Sequence, residues 1–199
     1  MSNPFARAKY ALSAHNHRQL PPDAGAEVAF AGRSNAGKSS ALNALTQQNA
    51  LARVSKTPGR TQQLVFFEVA PLKHLVDLPG YGYAKVPQDL QAHWQMFLDG
   101  YFSTRDALQG LVVVMDIRHP LKDYDRQMLG YAVQRELPAH VLLTKADKLS
   151  RGAGMNTLQA VRMELSRAFG DTVSVQTYSG ESKQGVDEAR AVIARWLEL

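Results

Sequence analysis

The 199-residue chain contains no cysteine. Disulfides and thiolate metal centres are therefore excluded, and the composition suits a reducing compartment. No apolar run approaches the roughly 20 residues that a membrane-spanning helix needs. The longest candidate, LVVVMDI from Leu111, has the length of a strand and runs into an acid. The N-terminus lacks the long apolar core of a secretory leader. A soluble cytoplasmic protein with no membrane association is expected. No acidic residue precedes Asp23, although Arg7, Lys9 and Arg18 do. That asymmetry has two readings: a solvated, partly disordered tail, which is the simpler, or an arm that touches nucleic acid. The six histidines (His15, His17, His74, His93, His119 and His140) show no metal-ligand spacing. No repeat or low-complexity linker is visible, and no feature demands a dimer, so a monomer is expected.

The length suits one sizeable core. Residues 1–22 are expected to form a basic extension and 23–199 a single domain. The net charge of +5 favours a polyanionic partner without identifying it. Apolar runs alternate with amphipathic stretches. EVAFAG (Glu27 to Gly32), TQQLVFFEVA (Thr61 to Ala70), KHLVDLPG (Lys73 to Gly80), GLVVVMD, AHVLLTKAD and TVSVQTYS read as strands, the second and third paired around Pro71. Between and after them lie helical stretches. One is Pro87 to Arg105, with Leu90, Trp94, Phe97 and Leu98 on its inner face. Runs of Val and Leu without alternation suit strands covered on both faces. The expected class is α/β, a mostly parallel central sheet with helices on both sides. Ligands of such sheets sit beyond the carboxyl ends of the strands.

The residues at those ends carry chemistry. Gly32, Gly37, Lys38 and Ser39 fit G-x-x-x-x-G-K-[ST] between a strand and a helix. Such a loop turns backbone N–H groups and a helix N-terminus toward phosphate oxygens. Lys38 would reach the outer phosphates, and the Ser39 hydroxyl would ligate magnesium. Asp77 in VDLPG can hold magnesium through a water, and Gly80 can offer its N–H to a terminal phosphate. Thr61, within SKTPGRTQ, is a second candidate magnesium ligand. The stretch around it, with Arg53, Lys56, Pro58, Gly59 and Arg60, has the look of a switch segment. Asp147 in TKAD can accept two hydrogen bonds from guanine, whereas adenine would leave its carboxylate unpaired. The Gly180 N–H in YSGES could contact the guanine carbonyl.

The order P-loop, Thr, D-x-P-G, T-K-x-D, S-G is that of the translation-factor-like GTPases. GRSNAGKSS, SKTPGRTQ, VDLPGYGYAKVP, MDIRHPLKDYD, LTKADKL and SKQGVDEAR together resemble the EngB/YihA/YsxC-type ribosome-biogenesis GTP-binding proteins, over about Leu20 to Leu197. The resemblance implies a P-loop GTPase fold and a part in assembly of the large ribosomal subunit, through rRNA and ribosomal proteins. It also implies a link to cell division and septation. It places GTP or GDP on Gly32, Arg33, Ser34, Asn35, Ala36, Gly37, Lys38 and Ser39, with Gly59, Arg60, Thr61, Gln62 and Gln63. Asp77, Leu78, Pro79 and Gly80 would also form part of the nucleotide contact. Thr144, Lys145, Ala146 and Asp147, with Tyr178, Ser179 and Gly180, would hold the base. Magnesium would be ligated by Ser39 and Thr61. Two departures from the wider pattern are Thr144 in place of Asn, usual in this family, and Gly180 where the family often has Ser. The shorter Thr144 side chain is expected to tie the base less firmly to the P-loop.

Lys38, Thr61 and Asn35 are the candidate catalytic groups. Tyr81 stands where Ras-type GTPases carry a water-orienting glutamine. Slow intrinsic hydrolysis follows, of the order of ~10⁻⁴ s⁻¹. Asn35 has two readings. It either holds a potassium ion against the phosphates, where its charge would act in the transition state, or merely caps the loop. Two rival functions remain at this level: a GTP-dependent septation factor working through a protein partner, and a small-molecule P-loop kinase, against which Asp147 argues.

Overall fold

The computed structural model describes residues 3–52, 62–80 and 87–199. Its strands are β1 (Lys9–Ala14), β2 (Ala26–Gly32), β3 (Leu64–Ala70), β4 (Lys73–Asp77), β5 (Leu108–Asp116), β6 (Ala139–Thr144) and β7 (Val173–Thr177). The helices are α1 (Lys38–Thr46), α2 (Gln88–Thr104), α3 (Asp123–Gln134), α4 (Arg151–Phe169) and α5 (Val186–Leu197). All strands join one sheet in the order β1-β3-β4-β2-β5-β6-β7. β4, β2, β5, β6 and β7 run parallel, and β3 lies antiparallel between β1 and β4. The parallel sheet with helices on both faces is the architecture expected from the uninterrupted Val and Leu runs. β2 and β6 are buried along their whole length.

Two apolar layers sandwich the sheet. One packs Trp94, Phe97 and Leu98 of α2 with Met128 and Leu129 of α3 and Leu158 and Leu165 of α4. The other packs Leu42 and Leu45 of α1 with Val186, Ile193 and Leu197 of α5. Leu90 departs from the expected inner face of α2: it is 52% exposed. Residues 88–93 are all exposed, so the buried stripe begins one turn later, at Trp94. α1 and α5 are tied by polar contacts as well. Arg190 donates to the Leu45 and Ala44 carbonyls, each at 2.9 Å, and so satisfies the last turn of α1. Trp196 lies so close to Gly110 that a β-carbon there would stand 2.3 Å from the indole ring.

The partly disordered tail expected at the N-terminus is corrected. Lys9–Ala14 is an antiparallel strand on β3, and Phe5 is fully buried in the α1–α5 layer. Asn3 Nδ2 donates to the Leu45 carbonyl at 3.0 Å, and Gln48 Nε2 to the Ala8 carbonyl at 2.7 Å. Without β1, β3 would present an open ladder of N–H and C=O groups. The strand is exposed over Lys9, Tyr10 and Ala11 and fully buried only at Ala14, so it lacks the alternation by which a sequence announces one.

At the amino end of the sheet Glu27 is fully buried. Arg105 Nε donates to its oxygens at 3.1 and 3.2 Å, Arg105 Nη2 to Oε1 at 2.5 Å, and the Tyr101 hydroxyl to Oε2 at 2.9 Å. At the carboxyl end, β2 has β4 on one side and β5 on the other. The chain takes the first neighbour and then crosses over to the second. That reversal opens a crevice beyond Gly32. No described helix is long and apolar enough to cross a membrane.

Candidate functional site

The strand registers bring the expected groups to one edge of the sheet. Phe30 pairs with Asp77, Gly32 with Val114, Asp116 with Thr144, and Leu143 with Thr177. β3 runs the other way, and Val65 pairs with Asp77, so Gln62 and Gln63 enter the sheet at the same edge. Gly59, Arg60, Thr61 and Tyr81 lie outside the described residues, as do Arg53, Lys56 and Pro58.

The loop after β2 turns on two left-handed residues, Asn35 (φ 63) and Gly37 (φ 91). Asparagine tolerates that conformation better than most side chains, and glycine adopts it freely. Gly32 meets a different constraint: a β-carbon there would stand 3.0 Å from the Val114 carbonyl oxygen. α1 then begins at Lys38 with no side chain capping its first turn. Its leading N–H groups and dipole are thus presented at the crevice. Lys38 is buried, and its ammonium forms an ion pair with Asp77 Oδ1. Asp77 belongs to a turn that hugs the loop. The Leu78 N–H donates to the Phe30 carbonyl at 3.0 Å, and a β-carbon on Gly80 would touch Ser34 at 3.6 Å. Ser39, half-buried in the first turn of α1, carries a hydroxyl one residue after Lys38. A hydroxyl and a carboxylate are hard oxygen donors, and magnesium takes few protein ligands of that kind while keeping waters. The residues present fit the ion.

The other flank of the loop carries the residues expected at the base. Thr144 is buried, and its hydroxyl lies against the Ala36 carbonyl of the loop and, at 3.0 Å, the Met115 carbonyl. It therefore joins the end of β6 to the phosphate loop directly. Asp147 Oδ1 accepts the Ser179 hydroxyl at 2.6 Å, and Lys148 pairs with Oδ2 at 3.1 Å. The Ser179 hydrogen bond is the leading cause that lowers the Asp147 pKa, so this carboxylate is a firmly ionised acceptor. Ser179 is itself fixed: its N–H donates to the Gln184 carbonyl at 2.9 Å, and its oxygen accepts the Ser182 N–H at 3.1 Å. Tyr178 is fully buried and donates its hydroxyl to the Ala41 carbonyl at 3.0 Å, so its ring supports the pocket. The Ala146 N–H donates to the Tyr178 carbonyl at 3.1 Å, which joins the two base-side loops. A cavity of about 360 Å³ lies between these parts, bounded by Gly37, Thr144, Asp147, Tyr178 and Gly180. Ser40, Ala41, Lys148 and Glu181 also line it, and sequence reasoning did not single them out.

A second group missed in the sequence centres on Asp116. Arg118 donates to it from its N–H (2.9 Å), Nε (3.0 Å) and Nη2 (2.7 Å). These bonds, Arg118 foremost, hold the Asp116 carboxyl below the usual carboxylate range. Lys145 pairs with Asp116 at 3.0 Å and donates to the Asn35 carbonyl at 2.7 Å. The motif DIRH contained the signal, an acid at the carboxyl end of a buried strand. The Asn35 side chain makes no hydrogen bond to a described residue, so it does not cap the loop.

A family model described as "50S ribosome-binding GTPase" matches residues 27–145. A probable GTP-binding protein EngB from Stenotrophomonas maltophilia (strain K279a) is 78% identical over 199 residues, all of both chains. The chain belongs to the EngB family of GTPases. A probable EngB from Xanthomonas euvesicatoria pv. vesicatoria (strain 85-10) is 75% identical over all of this chain and 96% of its own length. Among solved structures, a probable GTP-binding protein engB superposes with a TM-score of 0.67 at 20% identity, covering 87% of this chain and 99% of its own. The elongation factor SelB of Methanococcus maripaludis gives 0.60 at 16% identity over 88% of this chain and 34% of its own. These last two likenesses concern the fold, a P-loop GTPase fold shared well beyond EngB.

Proposed function

We propose that this chain is a guanine-nucleotide switch that hydrolyses GTP slowly and acts in assembly of the large ribosomal subunit, with cell division and septation depending on it. The observation that carries the nucleotide part is the fixed carboxylate of Asp147, oriented by Ser179 over a cavity that Thr144 joins to the phosphate loop. Such an acceptor suits the two adjacent donors of guanine. Asp147→Asn should move preference from GTP to xanthosine triphosphate by about three orders of magnitude or more, in competition binding. An unchanged preference would overturn the reading.

In this reading the loop residues Gly32 to Ser39 surround the phosphates. Lys38 exchanges its Asp77 partner for phosphate oxygens, which leaves Asp77 free to hold a metal-bound water. Ser39 and Asp77, with Thr61, would hold magnesium, which supplies charge neutralisation at the phosphate oxygens. The exposed Asn35 amide is free to take a potassium ion. Single-turnover hydrolysis in sodium and in potassium tests this; equal rates would remove the potassium role, and a rate near ~1 s⁻¹ without a partner would remove slow hydrolysis.

The family supports action on ribosomes, and the charge supports contact with rRNA phosphates. Arg7 and Arg18 are exposed on either side of an ordered edge strand, a firmer platform for such contact than a loose arm. Co-sedimentation with purified large subunits tests it, comparing a non-hydrolysable GTP analogue, GDP and no nucleotide at two salt concentrations. Binding favoured by the analogue and weakened by salt is expected. Absence of binding in every state would favour a protein partner in septation.

A further inference from the structure

A second cavity, of about 170 Å³, opens against the first half of the phosphate loop, between the end of β5 and the start of α3. Arg33, Asp116, His119, Asp125 and Lys145 line it. Asp116 and Lys145 are matched, to Arg118 and to each other. Two charged groups of opposite sign are left over. Asp125 is 1% exposed. Its Oδ2 accepts the Lys122 N–H at 2.9 Å at the start of α3, but its Oδ1, also buried, has no hydrogen-bond partner among the described residues. Arg33 is half-buried, and its side chain makes no hydrogen bond or ion pair to a described residue. Its charge nevertheless acts on Asp125.

A buried carboxylate oxygen without a donor is costly, and so is a guanidinium held off water without an acceptor. The cavity gives the Arg33 side chain room to move. Nucleotide in the loop would fix the backbone that carries Arg33, which lowers the entropy lost when its guanidinium is fixed as well. We propose that Arg33 closes on Asp125 Oδ1 when nucleotide occupies the loop, which makes Asp125 a positioning residue that slows nucleotide release. Pairing and nucleotide binding are then linked, and each favours the other. This rests on the reading of Gly32 to Ser39 as the phosphate loop.

The pairing requires an ionised Asp125. Burial pushes its carboxyl up to about 6, against the Lys122 N–H and the charges of Arg33, Lys122 and Arg126. The other groups facing it across the cavity are Asp116, His119 and Lys145. Acidification should therefore open the pair. Histidine is the other residue type that titrates in this range, so His119→Gln serves as the control.

The experiment is release of a fluorescent GDP analogue from the full chain with magnesium, between about pH 7.5 and 5.5. At the higher pH, Asp125→Asn and Arg33→Gln should each speed release about three- to thirty-fold, and the double variant no further than either alone. Arg33→Lys, which keeps the charge, should recover most of the retention. Acidification should speed release from the natural chain and from His119→Gln, but not from Asp125→Asn or Arg33→Gln. Additive effects, unchanged release in Asp125→Asn, or a pH response that survives in Arg33→Gln would each overturn the pairing. Should Asp125→Asn fail to fold, the pH profiles of the natural chain and Arg33→Gln decide. In the same assay Lys38→Ala should fail to retain GDP. If it retains GDP as the natural chain does, the phosphate-loop reading itself falls, and the pairing with it.

Discussion

At the amino end of β2, Glu27 is buried with both carboxylate oxygens bonded to Arg105 and one also to Tyr101. Around its carboxyl end, Lys38 is held through one oxygen of Asp77, and Asp125 leaves one oxygen bare. Both ends bury charge beside the same strand, yet of the two buried carboxylates only Glu27 has both oxygens bonded within the fold. Arg105 also donates from Nη1 to the Pro21 carbonyl and from Nη2 to the Pro22 carbonyl, at 2.8 and 3.3 Å. The Glu27 carboxylate is thus matched by donors of the fold itself. The groups at the other end can exchange partners, which is what a site that must bind and release phosphate needs. Their incomplete bonding costs stability, and that cost is the signature of function.

The largest effect that would sharpen this contrast is Glu27→Ala. It leaves the Arg105 guanidinium buried without its main partner and should cost about 3–5 kcal/mol in urea unfolding. A loss below about 1 kcal/mol would erase the distinction between the two ends. Asp125→Asn should act in the opposite direction on the free protein. Its folded carboxyl titrates at about 6, above the usual 3.8. The folded state therefore binds more protons than the unfolded one between those values, and stability from this group falls as the pH rises through them. The substitution removes that penalty. It should raise stability by on the order of 2–3 kcal/mol near pH 8 and leave it nearly unchanged near pH 3.5, with thermal unfolding as the check. A smaller effect is expected for Ser179→Ala, which removes the hydroxyl that orients Asp147. GDP affinity should fall about ten-fold, the worth of one hydrogen bond to a charged acceptor, with the unfolding midpoint little moved. An equal loss of affinity and stability would mean that Ser179 belongs to the scaffold.

Much of this was legible in the sequence because the strong signals are local. The uninterrupted runs of β2 and β6 announce strands covered on both faces. GRSNAGKSS announces its turn through Asn35 and Gly37, whose left-handed backbone suits those residues, and through Gly32, where a β-carbon would crowd Val114. TKAD stands at a strand end, where the sheet presents its ligands. What the sequence concealed depends on contacts between distant segments. β1 exists because β3 has an edge to fill, and nothing in KYALSA alone requires a strand. Leu90 falls on the right helical stripe but one turn before the buried part of α2 begins. Ser179 was expected in the base site, yet its bond to Asp147, 32 positions away, is visible only after β6 and β7 are paired. The Arg118–Asp116–Lys145–Asn35 chain likewise joins three loops that share only an edge of the sheet.

The anchorage of α1 by Arg190 and Tyr178 bears on how the chain matures during synthesis. The phosphate loop lies in the first quarter of the sequence, but the groups that satisfy the carbonyls of the helix behind it arrive in the last. β2 also waits for β5 before its second flank is covered. A nascent chain therefore carries its most recognisable motif long before that motif has a rigid backing. Capture of nucleotide is expected as one of the last events of biogenesis, and it marks a finished molecule.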